Sequence, residues 1–125
     1  MLDAIKMTLP YPPTVNHYWA VGRGRIYISP EGRAYRRRVK AILAGVPRID
    51  GPVDVAIVAC PPDRRRRDLD NLLKCLLDSL GSSGVFVDDS LIQRLLVVWG
   101  PRVTQGCVEC GIQPSASAEA GGGEA

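Results

Sequence analysis

Along the chain, short segments whose apolar residues are spaced as in a β-strand alternate with two longer segments whose apolar residues recur at the spacing of an α-helix. Residues 4–9 alternate apolar and polar positions, as a half-buried strand does, and a proline-rich stretch ends them. Residues 53–60 are almost continuously apolar and β-branched, which predicts a central strand buried on both faces. Further strands are predicted at 26–28, 91–99 and 107–112.

Two helices are predicted, over about 29–45 and 69–80. Ser29 is a suitable N-cap for the first helix, which Pro30 begins. Leucines at helical spacing mark the second helix, with Asp68 at its N-cap position and Gly81 just after its end. The predicted core positions of the first helix are Tyr35, Val39, Ile42 and Leu43. These elements indicate a small single α+β domain with a mixed β-sheet.

The length of 125 residues fits one domain, which we place at 1–113. Residues 114–125 are small and polar and predict a disordered tail. No segment is apolar enough to span a bilayer or resembles a secretory signal, so we expect a cytoplasmic protein without membrane contact. The four cysteines are then expected to be reduced thiols.

The densest group of charges occupies residues 63–74, where four consecutive arginines precede two aspartates, an asparagine and a lysine. Carboxylates at Asp68 and Asp70, together with Asp88 or Asp89, match the oxygen ligands that Mg²⁺ prefers. Such a site supports phosphodiester hydrolysis by metal-activated water, and Lys74 would stabilise charge in the transition state. We expect Mg²⁺, with Mn²⁺ as a substitute.

The basic residues are grouped, although the net charge is only +3. Grouped cations indicate a phosphate-rich partner, because binding depends on local potential and on released counterions. One group is the arginine run, and the other is a stripe on the first predicted helix. The predicted phosphate contacts in these groups are Arg64, Arg65, Arg66, Arg67, Arg33, Arg36, Arg37 and Lys40.

Two other functions remain open at this point. In a DNA-binding module without activity, Asp68 would only cap a helix and Asp88 and Asp89 would only form a turn. A small-molecule metal phosphohydrolase is less well supported, because the chain lacks a glycine-rich phosphate loop and we expect no nucleotide cofactor. Zinc at Cys107 and Cys110 is not expected either, because residues three apart in a strand point to opposite faces.

Residues 7–112 resemble the RusA family of Holliday junction resolvases. The resemblance covers residues 9–13 with Asn16 and Tyr18, then 29–36, and it is densest at 62–72 with Lys74. It continues at Val87, Asp88 and Asp89. Motifs of this length and order are far more specific than a single short pattern.

The resemblance implies a homodimer that binds four-way DNA junctions and nicks two opposing strands symmetrically with Mg²⁺. The family's catalytic aspartates fall on Asp68, Asp70 and Asp89, and its essential lysine falls on Lys74. Asp88 stands beside them as a secondary metal ligand, and Asn16 joins the expected DNA contacts. A two-fold dimer would present two equivalent sites to two equivalent strands.

Overall fold

The computed structural model describes residues 4–116, and these form one mixed sheet with helices on one face and a separate two-stranded hairpin. The strands are β1 (Ile5–Pro10), β2 (Trp19–Gly22), β3 (Arg25–Ile28), β4 (Val53–Cys60), β5 (Ile92–Trp99) and β6 (Cys107–Pro114). The α-helices are α1 (Val15–Tyr18), α2 (Pro30–Ile42) and α3 (Leu73–Ser83). This architecture confirms the predicted α+β class with a mixed sheet.

The main sheet has the order β1-β6-β4-β5. β6 is antiparallel to both β1 and β4, whereas β5 is parallel to β4. A parallel pair needs a crossover connection, and residues 61–91, including α3, supply it. Consequently β1 and β4 point the same way and deliver the segments that follow them to the same end of the sheet.

The core lies between one face of the sheet and helices α2 and α3. Every second residue of β4 is buried there, and Tyr18, Phe86 and Leu76 complete the packing. Burial raises the pKa of Cys75 and Cys110 to about 12, so these thiols stay protonated at neutral pH and pack as apolar side chains. All four cysteines are free.

Helix α2 begins as predicted, because Ser29 Oγ accepts the Gly32 N–H at 2.9 Å and Pro30 is its first residue. The second helix departs from the prediction at both ends. Leu69–Leu72 is a 3-10 turn, and α3 continues through Gly81 to Ser83. The helix ends at Gly84, whose φ of 87° is the left-handed conformation that favours glycine.

Several exposed apolar positions correct the predicted core. The second face of β4 is only partly covered, because no helix among residues 4–116 packs on that side. Ile42, a predicted core position, is 45% exposed at the end of α2, and Trp99 is 39% exposed on the edge strand β5. Local periodicity predicted which faces are apolar, but whether a partner element covers them depends on the tertiary fold.

Two further elements were not predicted. Residues 14–19 contain the short helix α1, and β2 pairs with β3. At the other end of the chain, β6 extends to Pro114 and the Ser115 N–H donates to the Pro52 carbonyl at 2.9 Å. Most of the predicted tail, residues 117–125, lies outside the described residues.

Candidate active site

The segment that leaves β4 is held in place by one internal ion-pair cluster. Asp63 accepts a 2.7 Å hydrogen bond from Arg67 and a 2.9 Å bond from the Arg65 N–H. The Arg67 guanidinium also lies 5.8 Å from the centroid of the Tyr11 ring, and its side chain is only 15% exposed. Arg67 therefore fixes the loop, and it does so at the end of the sheet where β1 and β4 both finish.

The other arginines of the run project from this loop into solvent. Arg64 and Arg66 are exposed, and neither has an acidic partner among residues 4–116. Arg65 makes only a loose contact of 3.5 Å with Asp63 and is 83% exposed. These three guanidinium groups are accessible to an external anion, and a planar fork of donors suits phosphate.

Asp68 and Asp70 follow directly, on either side of the start of the 3-10 turn. Both are exposed, and Asp68 makes no side-chain capping bond although it occupies the N-cap position. Neither carboxylate has a protein partner among the residues that the structure describes. The reading of Asp68 as a helix cap is therefore wrong, since its oxygens are left available for another ligand.

Lys74 belongs to a connected group of polar and aromatic side chains. Its Nζ lies 3.3 Å from Asp78 Oδ1 and 5.8 Å from the centroid of the Trp19 ring. The other oxygen of Asp78 accepts the Tyr18 hydroxyl at 2.9 Å, and Tyr18 meets Trp19 edge to face at 5.2 Å. Burial, and then this bond to Asp78, raises the pKa of Tyr18 above its usual range, so the hydroxyl remains a donor.

Asp88 and Asp89 lie in the turn between α3 and β5. The Asp88 carboxylate accepts the Ser90 N–H at 3.2 Å, and a 3-10 turn runs over Asp89–Leu91. Because β5 is parallel to β4, these two aspartates precede β5 at the end of the sheet where β4 begins, whereas the arginine run follows the end of β4.

The two acidic segments are nevertheless connected through α3, because Asp88 lines a shallow cleft with Asp78, the partner of Lys74. The 3-10 turn at Leu69–Leu72 packs against β5, and the one at Asp89–Leu91 packs against α3. Among the described side chains, which do not include that of Asp89, no group of three or more metal-ligating residues is already assembled. The residues of the predicted metal site that the structure describes are Asp68, Asp70 and Asp88.

The basic stripe on α2 lines a shallow cleft. The cleft has a volume of about 250 Å³ and includes Ser82 of α3, so it runs along the groove between the two helices. Arg33 also donates to the Ile28 carbonyl at 3.0 Å, which ties the first turn of α2 to the end of β3. The residues that form the basic wall are Arg33, Arg36, Arg37 and Lys40.

Comparison with known proteins gives one consistent result. The family model of endodeoxyribonuclease RusA matches residues 10–110. The crossover junction endodeoxyribonuclease of Enterobacteria phage 82 is 44% identical over 84% of this chain and 89% of the phage protein. Crossover junction endodeoxyribonucleases of Shigella sonnei and Escherichia coli K12 are 43% and 42% identical over the same shares.

The chain belongs to the RusA family. Membership confirms the resemblance that the motifs indicated and the enzyme class that it implied. The match includes the acidic and basic stretch, α2, the hairpin, β4, β5 and the first half of β6. No helix among residues 4–116 is both long and apolar enough to cross a membrane.

Sequence reasoning missed two residues of this candidate site. Asp78 follows Lys74 by one helical turn, a spacing at which opposite charges meet, so the signal for this ion pair was present. Tyr18 was noted only as part of the resemblance, and its bond to Asp78 spans 60 residues, which no local pattern could predict. Asn16, a predicted DNA contact, is exposed on α1, whose buried Tyr18 packs beside α3.

Proposed function

We propose that this protein is a metal-dependent endonuclease that resolves four-way DNA junctions by paired, symmetric cuts in opposing strands. The observation that carries the proposal is the pair of exposed, unpaired carboxylates at Asp68 and Asp70 directly after an exposed arginine run. Family membership supports the enzyme class.

The donor set fits a hard divalent cation. Asp68 and Asp70 offer carboxylate oxygens without competing protein cations, and oxygen is the ligand type that Mg²⁺ takes. We assign Asp68, Asp70 and Asp89 as the ligands, with Asp88 as a secondary one and Mn²⁺ as a substitute. When bound, the metal would activate water and stabilise the leaving oxygen.

The remaining roles belong to side chains of the protein. Lys74, oriented by Asp78, supplies a positive charge for the transition state at the attacked phosphate. Arg64, Arg65 and Arg66 hold phosphates beside the cut. The basic wall on α2 and Asn16 on α1 bind the flanking duplex backbone, where contacts position the substrate without reading its sequence.

We also propose that the protein acts as a homodimer, with the uncovered face of the sheet over β4 and β5 as the surface for the second copy. This face carries Leu96, which is 61% exposed, and Val98 beside it. On the same face Asp54 has a buried carboxylate oxygen without a partner among the described residues, and the exposed Arg94 stands opposite it on β5. Across a two-fold axis, Arg94 of one chain and Asp54 of the other are complementary.

The decisive experiment compares a labelled four-way junction with a linear duplex of the same sequence, with and without Mg²⁺. We expect paired nicks in the junction alone. Asp70→Asn should abolish them and retain binding, whereas Asp50→Asn, at an exposed acid paired with Arg48, should cut as the wild type does. Tight junction binding without cutting in either Mg²⁺ or Mn²⁺ would refute the proposal and favour the DNA-binding module.

A further inference from the structure

The hairpin formed by β2 and β3 is a two-stranded sheet separate from the main sheet. Four residue pairs form its ladder, and the two-residue turn at Arg23 and Gly24 has φ values of 52° and 71°. Positive φ at both positions is the turn geometry that matches the twist of paired strands. The Tyr27 ring also lies over Gly22, where an added Cβ would come within 3.3 Å of it.

One face of this hairpin is apolar from its base to its tip. Trp19 pairs with Ile28 at the base, where both pack against the core, and Val21 pairs with Ile26 on the same face nearer the tip. Val21 and Ile26 are 76% and 72% exposed, more than any other large apolar side chain in the described part of the chain. The fold does not bury this pair.

The tip of the hairpin is positively charged. Arg23 is in the turn and Arg25 begins β3, and both are exposed. Neither forms an ion pair with any residue among 4–116. An apolar pair framed by two unpaired arginines is complementary to a ligand that combines stacked bases with phosphates.

The base of the hairpin contacts the candidate active site. Trp19 lies beneath Lys74 Nζ, and Val21 follows Trp19 by two residues on the same face, a step of about 7 Å along a strand. A DNA molecule bound with a phosphate at Lys74 would therefore have neighbouring base pairs within reach of the exposed apolar pair.

We propose that the hairpin is a wedge that inserts Val21 and Ile26 between base pairs at the branch point of the junction, with Arg23 and Arg25 on the adjacent phosphates. This inference rests on the proposed function and names the residues that select branched DNA. Inserting an apolar wedge into continuous duplex requires unstacking, whereas stacking is already interrupted at a branch point. The wedge thus favours junctions over linear DNA.

The test uses the double variant Val21→Thr, Ile26→Thr, because threonine keeps the β-branched shape and removes apolar character. With Ca²⁺ in place of Mg²⁺, we expect its affinity for a four-way junction to fall about tenfold and its affinity for linear duplex to change little. 2-Aminopurine at the branch point should brighten when the wild type binds and not when the variant binds. Val103→Thr, at an exposed valine outside the hairpin, is the control.

A second measurement does not depend on the substitution being tolerated. A photo-crosslinking amino acid at position 26 of the full chain should attach to nucleotides at the branch point, and crosslinks confined to the arms would overturn the wedge. Unchanged junction affinity and 2-aminopurine signal in the threonine variant would also overturn it. If either result is found and the wild type still cuts the junction, only the wedge is refuted. If the wild type neither prefers nor cuts the junction, the proposed function is refuted as well.

Discussion

Asp63 and Asp68 are the same residue type five positions apart, and their surroundings give them different roles. Asp63 accepts hydrogen bonds from Arg67 and from the Arg65 N–H, and these bonds lower its pKa well below its usual range. Asp68 has no such partner within residues 4–116 and remains available to an external cation. A carboxylate in a charge-rich loop therefore acts as a structural or a ligand group according to which donors the fold brings to it.

The Asp63–Arg67 pair predicts a pH-dependent contribution to stability. Because the folded pKa is lowered, the pair stabilises the protein above the unfolded pKa of about 4, and this contribution is lost as the pH falls through the folded pKa. The difference in unfolding free energy between wild type and Asp63→Asn should be present at pH 7 and shrink toward pH 2. Urea titrations at several pH values test this, and a constant difference would contradict it.

A second residue-scale prediction concerns Asp78. Asp78→Ala leaves the buried Tyr18 hydroxyl without its acceptor and should lower the unfolding free energy by about 1–3 kcal/mol. Asp78→Asn keeps an acceptor and should destabilise less, yet it should slow junction nicking because Lys74 loses its orienting charge. Denaturant titration and single-turnover cleavage measure the two effects. Asp78→Asn cleaving at the wild-type rate would show that Asp78 has only a structural role.

At the scale of elements, the basic loop separates into one structural arginine and three that are exposed to ligand. Phosphate contacts are measured by the salt dependence of binding, since each one releases counterions. The packing of Arg67 within the loop, in contrast, stabilises the folded protein whether or not DNA is bound.

This separation predicts different results for neighbouring arginines. Arg64→Gln and Arg66→Gln should each reduce the slope of log affinity against log salt by about one unit, with unfolding unchanged. Arg67→Gln should lower stability, because Asp63 and Tyr11 lose their partner. Arg48→Gln, at the surface pair with Asp50, is the control. Equal slopes for all four variants and the wild type would exclude phosphate contacts by this loop.

The end of α3 offers a matched pair of glycine substitutions. Gly84→Ala introduces a side chain at φ 87° and should destabilise by about 1 kcal/mol. Gly81→Ala lies within the helix, where a Cβ would sit 3.7 Å from the Phe86 ring, and should stabilise by up to about 1 kcal/mol. Thermal unfolding distinguishes them. The opposite order would place the helix end at Gly81, as the sequence suggested.

At the scale of the whole molecule, the sheet is covered on one face only. Helices α2 and α3 bury one side of β4, while β5 forms an edge with apolar side chains exposed on both faces. The other edge strand, β1, carries Lys6 and ends in Pro10, and both residues disfavour pairing with a further strand. An unprotected apolar edge promotes association, which fits the proposed second copy at this surface.

A dimer interface at this surface predicts that one added positive charge there prevents dimerisation. Leu96→Lys should convert a dimer into a monomer, because the two-fold axis brings both new charges into one interface. Ile42→Lys adds the same charge at an exposed position on α2 and should leave the dimer intact. Sedimentation equilibrium gives the masses. A Leu96→Lys protein with twice the mass of one chain would place the interface elsewhere.

The sequence by itself determined the features that depend on neighbours along the chain. Ser29 and Pro30 specify the start of α2, the residues of β4 specify a strand, and the motif of residues 62–74 identifies the family. Each of these signals is local, since a cap, a strand period or a motif is complete within a few residues.

Only the tertiary structure decided which of these residues have partners. Arg67 pairs with Asp63 while Asp68 stays unpaired, and Tyr18 reaches Asp78 across 60 residues. The parallel pairing of β5 places Asp88 and Asp89 where β4 begins, and the missing cover leaves Leu96 exposed. These outcomes depend on contacts between distant segments, which form only when the sheet order and helix packing are fixed.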